Sequence, residues 1–204
     1  NHPPFTPPAP PVNNYSATLN DPNCAAGQPW PGTADTNNGT IYTYTSRKKS
    51  LKSWWISQMV GQPRSIREKM VLFYSNHFVI EFDMVTVSTY VYRYNELLRA
   101  NALGNFKTLT REITINSAML KYLNGDKNTN TAPNENYGRE LQELFTVGKD
   151  ATGLPPYTED DVQAAARVLT GWKNDLVGGL TSANGFNSYF EPTKHDVNDK
   201  LFSS

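Results

Sequence analysis

The chain predicts a mainly α fold: a compact multi-helix domain, with a Pro-rich extended arm before it and a Gly/Asn-rich loop after it. Apolar residues recur at intervals of three and four through most of the interval 46–172, the spacing that lines one face of a helix. Caps and stops punctuate the same interval. Asparagine or threonine precedes apolar runs at Asn105, Asn134 and Thr158, and glycine follows them at Gly104 and Gly148. No segment sustains the alternation of a strand, and the best fragment, 85–91, fits a helix better.

At 204 residues and 38% hydrophobic, the chain can bury one sizeable core, which makes it one domain or most of one. Nineteen basic residues balance nineteen acidic ones, and no Lys/Arg block is longer than residues 47–49, so nucleic acid and anionic membrane are not expected partners. No apolar run is long enough to span a bilayer. The start at Asn1 without methionine reads as a processed or trimmed product, and Cys24 stands alone with no internal disulfide partner.

In chain order, residues 1–45 hold prolines at 3, 4, 7, 8, 10 and 11 and then Asn, Gly and Thr punctuation. Such a stretch favours polyproline and turn conformations and reads as an extended arm lying over the helical domain of 46–204. Leu51, Trp54, Trp55, Gln58 and Met59 then give a helical face that Gly61 and Pro63 terminate; two adjacent tryptophans suit packing or the face of a sugar. S-I-R-E at 65–68 reads as a capping box, and the run after it is apolar nearly all round, so 64–82 should be the central buried helix. Residues 83–102 read as the next helix, with Tyr90, Tyr92 and Tyr94 on different sides and therefore some of them wet. Asn105 and then Asn116 or Ser117 cap two shorter helices. Thr158 caps a helix whose first turn carries three acids, and Ala164, Ala165 and Ala166 permit close packing within it.

The stretch around which the chain is organised is N-E-N-Y-G-R-E-L-Q-E-L-F-T-V-G at 134–148. At 100° per residue, Tyr137, Leu141, Leu144 and Phe145 share one stripe, while Glu135, Arg139 and Glu143 run down the opposite side at i, i+4, i+8. Glu140 lies at the edge of the apolar face, where a carboxylate must be paired, neutralised or wet. Arg167, His77 and His195 are its candidate partners, in that order.

Two places offer metal chemistry. His77 and Glu81 fall at i, i+4 and suit a ligand pair or a base with its orienting acid, or else a core histidine. Asn124, Asp126, Asn128 and Asn130 place oxygens at alternate positions like a calcium loop, but glycine stands at 125 rather than 129 and no glutamate closes the loop. An ordinary Asn/Gly turn is the other reading. Calcium or another divalent ion is the only cofactor with a foothold.

Together with A-A-A-R-V-L-T-G-W at 164–172 and K-M-V-L-F-Y-S-N-H-F-V at 69–79, the central motif resembles a family of exported bacterial proteins catalogued as a domain of unknown function, number one thousand eight hundred. The likeness runs from about Leu51 to Lys200, and the phrasing of W-W-I-S-Q-M resembles members from the Bacteroidota. Gly138 stands where such relatives usually have alanine, and Tyr74 and Ser75 where many have Trp-His, which removes a histidine. The resemblance singles out His195 and Asp196 with Lys200. It implies an exported, cell-surface, outer-membrane-associated or extracellular protein, with an envelope partner or a C-terminal remainder of the same protein completing the body. Two functions compete: a structural or interaction module with a buried polar network, and a secreted hydrolase of an extracellular polymer. The second would work through Glu140, Glu135, Arg139, His77, Arg167 and the His195/Asp196 loop, metal-assisted or not.

Overall fold

The structure, a computed structural model, describes residues 5–175 and 186–203. Among the described residues eight α-helices follow one another: α1 Thr43–Gly61, α2 Arg67–His77, α3 Phe82–Val85, α4 Ser88–Asn101, α5 Phe106–Thr114, α6 Ser117–Tyr122, α7 Glu135–Glu140 and α8 Glu159–Val168. A π-helical segment, Leu141–Thr146, continues α7. Two short strands, β1 Trp172–Asn174 and β2 Ser188–Phe190, pair antiparallel with Trp172 opposite Phe190. The C-terminal stretch is therefore partly a hairpin-like sheet; its Gly/Asn-rich stretch 176–185 lies outside the described residues, as do residues 1–4 of the Pro-rich segment.

The central helix is α4, which packs against α1, α2, α3, α5 and α6. Tyr90, Tyr92 and Tyr94 are all buried on it, against the expectation that some would be wet. Burial is affordable because each hydroxyl donates locally: Tyr90 to the Asp175 carbonyl at 2.9 Å, Tyr92 to Glu96 at 2.8 Å and Tyr94 to the Phe78 carbonyl at 2.8 Å. The same burial pushes all three hydroxyls above the usual phenol range, so they stay neutral donors. The helix is separated from α3 by Thr86, whose left-handed φ of 57° breaks what the sequence presents as one run over 83–102.

The segment expected as the central buried helix, 64–82, is only helical over α2, and within α2 only Glu68 and Val71 are buried. Ser65 accepts from Arg67 N–H, but Glu68 does not turn back to close a capping box. It is drawn inward instead to Arg99, with Arg99 Nε 2.6 Å from Oε1 and Nη2 2.9 Å from Oε2. Asn95 Oδ1 accepts from Arg99 Nη1 at 2.7 Å, and Trp55 Nε1 donates to Glu68 Oε2 at 3.1 Å, so one ion pair ties α1, α2 and α4.

The N-terminal segment is a packed coil rather than an extended arm. Trp30 from this segment is fully buried against Tyr92, and Tyr15 and Cys24 join the core. A second buried ion pair holds it down. Arg47 of α1 reaches Asp21 Oδ2 through Nε at 2.9 Å and the Thr33 carbonyl through Nη1 at 3.0 Å. Asp35 takes the backbone N–H and the hydroxyl of Ser88 at the start of α4; burial pushes its carboxyl up, against Arg47 and the Ser88 bonds. Charges from α1 and the coil thus replace the secondary structure that proline denies this stretch.

Candidate functional site

Two of the three motifs that carry the family resemblance, those at 69–79 and 134–148, meet at His77. Its Nε2 lies 3.0 Å from the Phe145 carbonyl oxygen. A carbonyl only accepts, so Nε2 carries the proton in this contact. That carbonyl is free because it lies in the last turn of its helix, where the C=O groups have no intrahelical partner. Asn134 starts this helix by accepting from Asn136 N–H, and Gly148 ends it with a φ of 77°. Between them the ladder widens: Val147 and Gly148 both donate to the Gln142 carbonyl, and the Thr146 hydroxyl bonds Leu141 five residues back at 2.6 Å.

The wide turn also corrects the expected stripe. Each residue of a π-helix advances less than 100°, so Tyr137 and Phe145 are buried while Leu144 is turned out to 55% exposure. Around His77 the rings of Phe78, Phe106 and Phe145 lie at 4.6, 5.7 and 6.2 Å, and Tyr74 bridges Phe106 to Phe73. Phe73 is 58% exposed, and Leu72, Val79, Phe106 and Val147 are exposed as well. This is an aromatic seam between α2, α5 and the π-helical segment whose outer edge is apolar and open.

The other predicted site residues do not gather here. Because α2 stops at His77, Glu81 is not on the same helical face and stands exposed. Arg139 pairs with Glu159 of α8 and, at 3.5 Å, with Glu135, while Glu143 pairs with Lys149 at 2.7 Å. Glu140 is half-buried and makes no hydrogen bond or ion pair among the described residues. Its three expected partners are engaged elsewhere, which overturns that pairing: His77 on Phe145, Arg167 on Asp196 and His195 on Thr170.

The Arg167–Asp196 pair is the centre of a knot at the end of the described chain. Arg167 Nε donates to Asp196 Oδ2 at 2.6 Å, Asn198 N–H donates to Oδ1 at 2.8 Å, and the Thr170 hydroxyl accepts from Asp196 N–H at 2.8 Å. The arginine beside Asp196 holds its carboxyl well below the usual range. His195 Nδ1 lies 2.9 Å from the Thr170 carbonyl, which accepts its proton and fixes the tautomer.

The oxygens suggested for calcium are spent on the chain itself or lie apart. Asn128 Oδ1 accepts from Asn134 N–H, and its amide donates to the Ala166 carbonyl at 2.7 Å. The side chain of Asn130 donates to the Thr193 carbonyl, and Asn124 takes a left-handed turn before a 3₁₀ segment, Gly125–Lys127. Asp126 keeps a buried Oδ1 without a hydrogen-bond partner, and burial raises its carboxyl. Among the described residues no three His, Cys, Asp or Glu side chains gather as a metal site.

Sequence reasoning missed the two ion pairs that organise the interior, Arg47 with Asp21 and Glu68 with Arg99, because partners 26 and 31 residues apart leave no periodic trace. No curated protein and no solved structure matches the chain. A family model described as a protein of unknown function (DUF1800) matches residues 9–203, and the chain belongs to that family.

Proposed function

We propose that this domain is an interaction module of an exported envelope or surface protein, in which α2 and the π-helical segment present one apolar face to a partner protein. One observation carries the reading. Leu72 and Phe73 of α2 face out, with Val79, Phe106, Leu144 and Val147 also exposed, so large apolar side chains stand open where α2, α5 and the π-helical segment meet. An open apolar patch of this sort marks a contact surface. The site falls where two of the three family-like motifs join, at a π-helical turn, a feature that recurs at functional positions. Export is carried by the family resemblance, and among the described residues no helix is long and apolar enough to cross a membrane.

The hydrolase alternative calls for Glu and His groups in one cleft. Here His77, the Arg167–Asp196–His195 knot and the Glu135–Arg139–Glu159 ladder each engage different neighbours. The test is site-specific photo-crosslinking in the producing cell, from positions 73 and 144, with the exposed Val60 of α1 as control. The expected result is one common partner captured from 73 and 144, absent from 60, and lost when Phe73→Glu is introduced in a variant of unchanged circular dichroism. Capture from 60 alone, or no common partner from 73 and 144, would overturn the reading.

A further inference from the structure

A second feature lies away from the aromatic seam, in a cleft of about 1040 Å³ between the end of α1, the start of α2 and the C-terminal part of α4, walled by Phe5 and Pro8. Three arginines line it, Arg64, Arg67 and Arg99, against a single carboxylate, Glu68. That carboxylate is already spent. Both its oxygens are held by Arg99, and Trp55 donates to one of them as well. Arg99 in turn has Nε, Nη1 and Nη2 engaged, so the pair forms a closed floor and neutralises nothing else.

Arg64 and Arg67 are left over. Arg64 is exposed and makes no hydrogen bond or ion pair among the described residues. Arg67 is held in place by donating from Nη1 to the Arg99 carbonyl at 2.8 Å, with its guanidinium carbon 4.4 Å from the Phe5 ring centroid. That leaves Nε and Nη2 of an ordered guanidinium facing no acceptor among the described residues. The two arginines also stand at the wrong end of a helix. The eleven-residue α2 begins at Arg67 with no side-chain cap from Ile66, and its positive end disfavours cations. Neutral groups cover its first N–H groups: Ser65 Oγ accepts from Arg67 and Gln62 Oε1 from Glu68. Two like charges beside a positive helix end, in a cleft whose one carboxylate is already paired, are relieved by an external anion.

We infer that this cleft is a binding site for a tetrahedral oxyanion, the phosphate or sulfate group of a ligand, gripped by Arg64 and Arg67 at the N-terminus of α2. The forked donors of arginine match such a group, and the Glu68–Arg99 floor keeps the cleft from collapsing onto its own charge. The site is independent of the partner face.

The test is a titration of the native protein with inorganic phosphate and, separately, inorganic sulfate, followed by nuclear magnetic resonance of the arginine Nε–H groups and the backbone of 64–69. Total ionic strength is held at about 0.15 M with chloride, where screening limits diffuse attraction to about 8 Å. Saturable shifts at Arg64 and Arg67 are expected, with acetate much weaker. The affinity should fall roughly tenfold or more in Arg64→Gln/Arg67→Gln, as loss of charge-assisted bonds implies. The single change Arg64→Gln, which touches no internal bond, should weaken binding with an otherwise unchanged spectrum; Arg111→Gln should not. Saturation by phosphate alone would assign a phosphorylated ligand, and by both anions a sulfated one as well. Shifts that never saturate, an equal response to acetate, or binding indifferent to Arg64→Gln would overturn the inference.

Discussion

Arg99 on α4 and Arg139 on α7 each hold a carboxylate against a neighbouring helix, and they do very different things for the protein. The side chain of Arg99 is 2% exposed, its partner Glu68 is nearly as dry, and each nitrogen of the guanidinium has an acceptor. The side chain of Arg139 is 39% exposed and shares itself between Glu135 and Glu159 in water. A buried pair contributes little net stability over a well-packed apolar pair, but breaking it strands a charge where nothing solvates it. An exposed pair is screened and costs almost nothing to lose. Residue type alone therefore says nothing of structural importance; depth decides it.

The largest way to sharpen that contrast is Arg99→Ala. It leaves Glu68 buried without its cation and Asn95 without its donor, and urea denaturation should show a loss of about 3–5 kcal/mol. Next in size is Gly138→Ala on α7. A Cβ there would lie 3.0 Å from Ala166 N and 3.1 Å from the Val162 carbonyl, both backbone atoms of α8 that cannot swing aside. Overpacking of about 1–3 kcal/mol, set against a helix-propensity gain of about 1 kcal/mol, predicts a net loss of about 1 kcal/mol in the same assay. Smaller still, Arg139→Ala should shift stability by about 0.5 kcal/mol or less, a loss that added salt reduces further.

The last prediction concerns pH and reads a local change. Arg167 lowers the Asp196 carboxyl, and bonds from Ser203 and Thr158 lower that of Asp161. For a carboxylate depressed in the folded state, the contribution to stability is complete above the unfolded value, about 3.9, and is lost as pH falls through the lower folded value. The protection of the 195–203 amides against exchange, relative to the intrinsic rate at each pH, should therefore be unchanged from pH 7 to 5 and fall below about pH 4, where the opened state begins to take up protons. Loss of protection already at pH 6 would show that another group governs the knot.

What could be read from the sequence divides along the same line of locality. Caps at Asn105, Asn116, Asn134 and Thr158 are where they were expected, the last closing a full capping box with Asp161, because a cap needs only residues two or three positions away. The burial of α4 was not legible. Its tyrosines, Asn95 and Arg99 look amphipathic until partners from Asp175, Phe78 and Glu68 satisfy them. The reverse error befell 64–82, read as an interior helix, although α2 within it carries Arg67, Lys69, Ser75 and Asn76 and leaves Leu72 and Phe73 open. In the central motif the caps were visible, but the π-helical widening that turns Leu144 outward was not, since it follows from bonds of Thr146, Val147 and Gly148 rather than from spacing. Of the candidate site, the sequence singles out His77 and the central motif separately; their meeting at the Phe145 carbonyl was not legible, since 68 residues part the two.

The most direct test is a pair of double-mutant cycles measured by urea denaturation, one on Glu68 and Arg99 and the other on Glu135 and Arg139. Each cycle uses the Gln change of the acid and the Met change of the arginine, so that bulk is kept while charge is removed. A coupling of about 2–3 kcal/mol is predicted for the buried pair, against about 0.3–0.5 kcal/mol for the exposed pair. Couplings of equal size, or a larger one at Arg139, would contradict the claim that depth rather than motif membership decides which charges hold this fold.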